Sequence, residues 1–325
     1  MSIIKTKSIS SSAKAAGFDR PLLLSPAEDM RGYILKMLGG TIFFSLACFS
    51  VLAVLFIFAF IIYQSIPFFQ EIGITELVTS DQWHPTAAKP EFGALSMIVG
   101  SLYVTAGALI VAVPIGILTA VFLSDIMPFK LRQFIKPVIE LLAAIPSVAF
   151  GFFAFLVIAP WFQDTFGMSS GANALNASLI LAVMAIPTIV SVSEDAISSV
   201  GRELREGSYA LGSTRAETLL KVVLPASSSG IVAAVILGIM RAIGETMVVW
   251  MAAGNATRIP SPWWDITTPV RTMTASIASE MGEADVGSTH RHALFATGLL
   301  LLGFTFIMNI ASEYFLGRLK KKIGA

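Results

Sequence analysis

The stretch Glu206-Gly207-Ser208-Tyr209-Ala210-Leu211-Gly212, running on through Thr214, Arg215 and Glu217 to Val222-Val223-Leu224-Pro225, is a polar passage between two apolar runs of membrane length. Thr214 and Glu217 have the spacing of a capping box, in which hydroxyl and carboxylate satisfy the orphan amides of a helix start. Glu206–Leu211 is expected to form a short helix before it. Gly212 supplies the bend between the two, and Pro225 is expected to close the second helix. A helix-turn-helix held at the surface between two spans is the expected form. The plainer alternative is an ordinary polar connection.

The composition agrees with a membrane setting. The 325 residues are 55% hydrophobic and 13% charged, with a mean hydropathy of +0.78, whereas soluble domains carry about 25% charged residues. Cys48 is the single cysteine, so neither an internal disulfide nor a cysteine metal site can form within one chain. Its place in an apolar run predicts a buried thiol. The first apolar run starts near Gly39, too far from Met1 for a cleavable signal. Residues 1–38 therefore read as a flexible cytoplasmic extension.

Runs of roughly 20 apolar residues can cross the hydrocarbon core as helices. Six are expected, near 39–63, 94–124, 138–161, 175–197, 226–251 and 293–316, which makes the fold an all-α polytopic membrane protein. Pro114, Pro146 and Pro187 interrupt three of them, as transmembrane helices tolerate. Basic residues mark the cytoplasmic side. One set of segments carries Lys5, Lys7, Lys14, Arg20, Arg31 and Lys36, then Lys130, Arg132 and Lys136, then Arg202, Arg205, Arg215 and Lys221, then Arg318 and Lys320 to Lys322. The alternate connections carry only Lys89, Arg258, Arg271 and Arg291. Both termini, the basic tail 317–325 and the loop 198–225 are thus expected in the cytoplasm. Of the two long outer connections, the last holds Trp263-Trp264 and an amphipathic stretch Thr272–Glu283, expected to be either an interfacial or re-entrant helix or a surface helix.

Arg241 and Glu245 are charges inside the fifth apolar run. Four residues apart, they are expected to share one helix face as an ion pair. Intramembrane charges usually line a pathway, although a pair that only locks helices together is the alternative. A guanidinium suits an oxyanion, since its planar donors match that geometry, and a carboxylate one turn away would moderate the attraction. Glu140 opens Glu140-Leu141-Leu142-Ala143-Ala144-Ile145-Pro146-Ser147-Val148-Ala149-Phe150-Gly151 and is expected in the first turn of its helix, where the dipole favours a carboxylate. A kink is expected at Pro146. A full break, exposing backbone donors beside Ser147 to a cavity, is the alternative.

The Glu206–Pro225 stretch matches the pattern E-A-A-x3-G-x9-I-x-L-P. With the E-L-L-A-A-I-P-S-V-x-x-G and R-A-I-G-E-T-M runs, the chain resembles the C-type permease subunits of bacterial phosphate ABC importers (the Pst system) over about 39–320. Gly207 and Ser208 stand where the pattern has two alanines, and Val222 where it has isoleucine.

The resemblance implies a type I ABC importer permease fold in the bacterial cytoplasmic membrane. It implies a homologous second permease, two copies of a cytoplasmic ATPase that hold ATP and magnesium, and an external phosphate-binding protein. Inorganic phosphate would be the substrate, moved by alternating access within membrane lipid. Arg241 and Glu245, matching the family's R-x-x-x-E, become the substrate-pathway pair; Ser147, at the alternative break after Pro146, is a further candidate for the pathway. Glu206, Gly207, Ser208, Ala210, Gly212, Thr214, Arg215, Leu224 and Pro225 become the ATPase-coupling loop.

No G-x-x-x-x-G-K-[ST] phosphate loop occurs in the sequence, so hydrolysis by that route is not expected of this chain. No cofactor, metal site or nucleic-acid partner is expected either. His84, His290 and His292 all fall in outer connections and read as solvated or interfacial. The alternatives are a permease for sulfate, molybdate or phosphonate, an ion-coupled secondary transporter, and a purely structural membrane subunit.

Overall fold

The structure is a computed structural model that describes residues 26–323. Contacts divide the chain into two units, one ending at Phe60 and the other starting at Ile61. Among the described residues, six helices are long and apolar enough to cross a membrane, as the hydropathy predicts. Residues 1–25 of the expected extension lie outside the described residues. Residues 26–38, read as part of that extension, belong instead to the first helix, α1 (Pro26–Glu71).

Within the first unit the apolar side chains of α1 are exposed, including Phe43, Phe44, Phe49 and Phe56. Cys48 is exposed as well, which corrects the buried-thiol expectation. In a membrane segment an apolar neighbourhood does not imply an interior position, because lipid tails are as apolar as leucine.

The second unit is built on α3 (Leu95–Val121) and α7 (Ala174–Ser198). Small residues at helical spacing, Ala108, Ala112, Gly116 and Ala120, form the buried stripe of α3. A Cβ at Gly116 would come within 2.7 Å of Ile189 on α7, so this crossing needs glycine for close approach. α10 (Leu224–Gly244) adds Gly238, where a Cβ would meet the same Ile189 at 2.8 Å. Pro114 and Pro187 sit inside continuous helices. α3 ends in a π-helical turn, Phe122–Ile126.

The first and last long connections, with the helix ends beside them, form a second core. A two-stranded antiparallel hairpin pairs β1 (Trp83–His84) with β2 (Glu91–Phe92). Phe68, Leu77, Trp83 and Phe92 pack there with Met273 and Leu294. Glu280 ties this layer together. It accepts from Trp83 Nε1 at 2.9 Å and His290 Nε2 at 2.8 Å, and pairs with Arg271 at 2.6 Å. His292 Nδ1 lies 2.7 Å from the Gln64 carbonyl.

The amphipathic stretch becomes α12 (Met273–Glu280), whose first four residues are buried. Its buried first half excludes a fully solvated surface helix. It packs against α3 and α13 (Thr289–Ile323). Asp265, in the loop before it, accepts from the Thr267 and Thr268 hydroxyls, and these bonds hold its carboxyl below the usual range.

Candidate functional site

Two helices break where the sequence places its most unusual residues. α4 (Phe129–Ala144) ends one residue before the extended pair Ile145-Pro146, and α5 (Ser147–Phe153) begins directly after it. Proline restricts the preceding residue to extended backbone and has no amide to continue the ladder. The expected kink at Pro146 is therefore a complete break. Glu140 consequently lies in the last two turns of α4, not in a first turn, so the dipole reading is corrected. Its carboxylate accepts instead from Ser191 Oγ at 3.3 Å. Ser147 heads α5 and is partly buried.

The second break falls between Arg241 and Glu245. α10 stops at Gly244, Glu245 is extended, and α11 (Met247–Ala252) starts anew. The expected i,i+4 ion pair is therefore absent among the described residues. Glu245 turns forward: its Oε1 accepts from the amides of Thr246 at 3.2 Å and Val248 at 3.5 Å. It serves α11 as an N-terminal cap, satisfying donors that have no partner within the helix. Its own carbonyl accepts from Thr274 Oγ1 at 2.8 Å, so α12 supports the break from outside. Arg241 stands in the last turn of α10, with its Nε buried and unpaired.

The two breaks adjoin the same packing contact. α5 and α11 touch where Gly151 meets the Met247 carbonyl and the Met251 side chain; a Cβ there would lie 2.7 Å from the sulfur. Ser147 and Glu245 thus stand at the heads of two short helices in mutual contact. Arg241 is four residues before Glu245, at the end of the helix preceding the second break. An unpaired guanidinium nitrogen beside interrupted backbone can receive an oxyanion through charge-assisted bonds.

The polar segment between α7 and α10 folds as α8 (Arg202–Ala210), a turn, and α9 (Arg215–Thr218). Gly212 takes φ of +84° at the turn, a conformation that favours glycine. The Thr214–Glu217 capping box is present in both directions. Ser208 and Thr218 join their hydroxyls at 2.9 Å beneath the turn. Glu206, Gly207, Tyr209, Ala210 and Leu211 are exposed, with Leu211 at 89%.

Pro225 does not close the second helix. Leu219–Val223 form a π-helical turn that runs straight into α10, and Pro225 occupies the first turn of α10. There it takes one donor out of a continuous ladder, at a point where the adjoining π-helical turn has already rearranged the backbone bonds.

The structure adds an ionic cluster that the sequence reading does not anticipate. Glu194, fully buried on α7, accepts from Arg132, from Lys136 Nζ at 2.7 Å and from Ser198 Oγ at 2.7 Å. Lys136 also reaches Asp195 at 2.5 Å. Arg205 of α8 pairs with Asp125 and donates to the Ile197 carbonyl at 3.0 Å. The available signals are Glu194-Asp195 closing an apolar run and two cations four residues apart on an amphipathic helix.

Residues 112–321 match the family model described as binding-protein-dependent transport system inner membrane component. The chain is 39% identical over 245 residues to the probable ABC transporter permease protein YqgH of Bacillus subtilis, covering 75% of this chain and 78% of that one. It is 36% identical to the phosphate transport system permease protein PstC of Mesorhizobium japonicum, covering 76% and 80%. With PstC of Pasteurella multocida it shares 34% identity over 87% and 92%.

Among solved structures, a bacterial alginate ABC transporter in complex with an alginate pentasaccharide-bound periplasmic protein aligns with a TM-score of 0.57 at 17% identity, covering 91% of this chain and 97% of that one. The inward-facing MetNI methionine ABC transporter aligns at 0.51 and 18% identity, covering 70% and 94%. At these identities the likeness is one of fold.

Proposed function

Since the chain belongs to the binding-protein-dependent transport system inner membrane component family, we propose that it is the permease subunit of an ATP-driven importer of inorganic phosphate. The observation that carries the substrate is Arg241, an intramembrane guanidinium with a buried unpaired nitrogen at a helix break. The PstC relatives support phosphate over other oxyanions, which arginine chemistry alone does not separate.

In this reading Arg241 receives the anion as it passes between the two breaks. Glu245 moderates the attraction while holding α11 in place. The α8–α9 hairpin faces the cytoplasm, where its exposed tip docks into a separate ATPase. That subunit supplies ATP hydrolysis; this chain conducts the ion and transmits the motion. A homologous second permease would complete the pathway, and an external binding protein would deliver phosphate to the layer formed by the outer connections.

The test is uptake of radiolabelled phosphate by cells with and without this chain, with sulfate and molybdate as competitors. Saturable uptake that needs the chain, ignores both competitors and survives an uncoupler while ATP is maintained is the expected result. Competition by sulfate would refute phosphate as the substrate. Collapse with the membrane gradient would refute ATP as the energy source.

A further inference from the structure

We infer that Glu194 is the positioning residue that ties the ATPase-coupling hairpin to the helix break at Pro146, so that movement of one is delivered to the other. The inference rests on the reading of α8–α9 as the coupling element.

The connection is continuous and polar. Arg205 of α8 pairs with Asp125 in the turn that ends α3, and donates to the carbonyl of Ile197 on α7. Ser124, next to Asp125, lies 3.3 Å from Ser198 through their hydroxyls. Ser198 in turn donates to Glu194 and accepts from Arg132 at 2.6 Å. Arg132 and Lys136, one turn apart, are both on α4. That helix runs directly into the extended pair Ile145-Pro146 and thence to Ser147.

How α4 is held makes this arrangement a device rather than ordinary packing. None of its residues is buried, and Phe134 and Leu141 on it are 70% and 66% exposed. Its hold on α7 is therefore polar: Arg132 and Lys136 pair with the Glu194 carboxylate at 0% exposure and the more exposed Asp195, and Glu140 adds one bond from Ser191.

Apolar contacts slide past one another in small steps. A carboxylate buried between two cations does not, because leaving it unpaired carries a heavy desolvation cost. The cluster is consequently made or unmade as a whole, a property suited to setting the register of a moving element. Such an element is the physical basis that transmission between two sites requires.

The experiment uses the complete complex, purified with its ATPase, in liposomes. Ser147→Cys, with Cys48→Ser to remove the native thiol, reports the state of the break through its rate of labelling by a small methanethiosulfonate reagent with and without ATP. Phosphate moved per ATP hydrolysed is measured separately with Ser147 intact.

For Glu194→Gln the expected result is loss of the ATP-dependent change in labelling and at least a tenfold fall in phosphate moved per ATP, with ATP hydrolysis retained. Glu194→Asp, which keeps the charge, should recover part of both. An unchanged labelling response and ratio in Glu194→Gln would overturn the inference. So would an equal fall in hydrolysis and uptake, the signature of a structural defect alone.

If Glu194→Gln does not assemble, Arg205→Ala cuts the same connection one step earlier, removing both the Asp125 pair and the bond to the Ile197 carbonyl, and leaves Glu194 paired. Wild-type values in that variant would overturn the inference, and the same selective loss would support it. With Glu194 intact, labelling of the Ser147→Cys reporter that responds to ATP while the wild-type complex moves no phosphate would refute the substrate alone. The role of Glu194 would then stand. Loss of the ATPase on purification of the wild-type complex would refute the coupling reading and this inference together.

Discussion

At the scale of single residues, Arg241 and Glu245 are legible as charges in an apolar run, but their relation is not. Spacing of four predicts a shared helix face only while the helix continues, and it stops at Gly244. The sequence does hold a weak cue there, since Gly244 and the β-branched Thr246 both disfavour helix interiors. What decides the break, however, is tertiary: Thr274 of α12 supplies a donor to the Glu245 carbonyl.

The outcome frees Arg241 from its expected partner and strengthens its candidacy as the anion receptor. Arg241→Ala is expected to leave the complex assembled while uptake at low phosphate concentration falls by about tenfold or more. That fall corresponds to the loss of a hydrogen bond to a charged group, about 1.5–3 kcal/mol. Arg241→Lys should retain part of the activity, keeping the charge without the planar fork. Uptake by Arg241→Ala equal to wild type would remove the residue from the pathway.

At the scale of elements, spans are legible because lipid demands length and apolarity, which composition records directly. Their interruptions are not. Pro114 and Pro187 are carried inside continuous helices while Pro146 ends one, a difference set by neighbours that no local sequence states. Pro225 departs from expectation in the opposite direction: the π-helical turn before it lets the helix continue.

The α8–α9 hairpin is the most legible element, since the capping box and the glycine turn are local chemistry. Gly212 carries its sharpest prediction. At φ of +84° it adopts a backbone that proline's ring forbids, and its amide donates to the Tyr209 carbonyl at 2.9 Å. Gly212→Pro is therefore expected to unfold the tip and abolish co-purification of the ATPase, with the chain still inserted in the membrane. Gly212→Asn, which tolerates the left-handed region, should retain most of the binding. Full ATPase retention in Gly212→Pro would refute the docking role.

At the scale of the whole molecule, a sequence reading of a membrane protein meets a limit that Cys48 illustrates. Hydropathy separates bilayer from water, but it does not separate a side chain facing lipid from one facing protein. Composition therefore assigns Cys48 to an interior, and it is exposed. Orientation, by contrast, is predicted from charge in the connections, which can be read along the sequence directly. Lysines and arginines gather in the second and fourth connections and at both ends, leaving the alternate connections sparse. With six candidate spans, an even number of crossings would put both termini on one side, and the excess of basic residues predicts the cytoplasmic one. The ATPase reading needs the same side independently, because Glu206–Leu211 must face ATP.

The two arguments can be tested together by fusing a reporter that is active only in the cytoplasm. Fusions after Ala325 and within the turn at Gly212 should both be active, and one in the outer loop after Gly282 should be inactive. Activity at Gly282 with silence at Gly212 would invert the chain and exclude the α8–α9 hairpin from contact with any cytoplasmic motor. Activity at Ala325 and at Gly282 would break the six-span count itself. The first result alone lets Arg205, Glu194 and the break at Pro146 lie on one route leading inward from the ATPase.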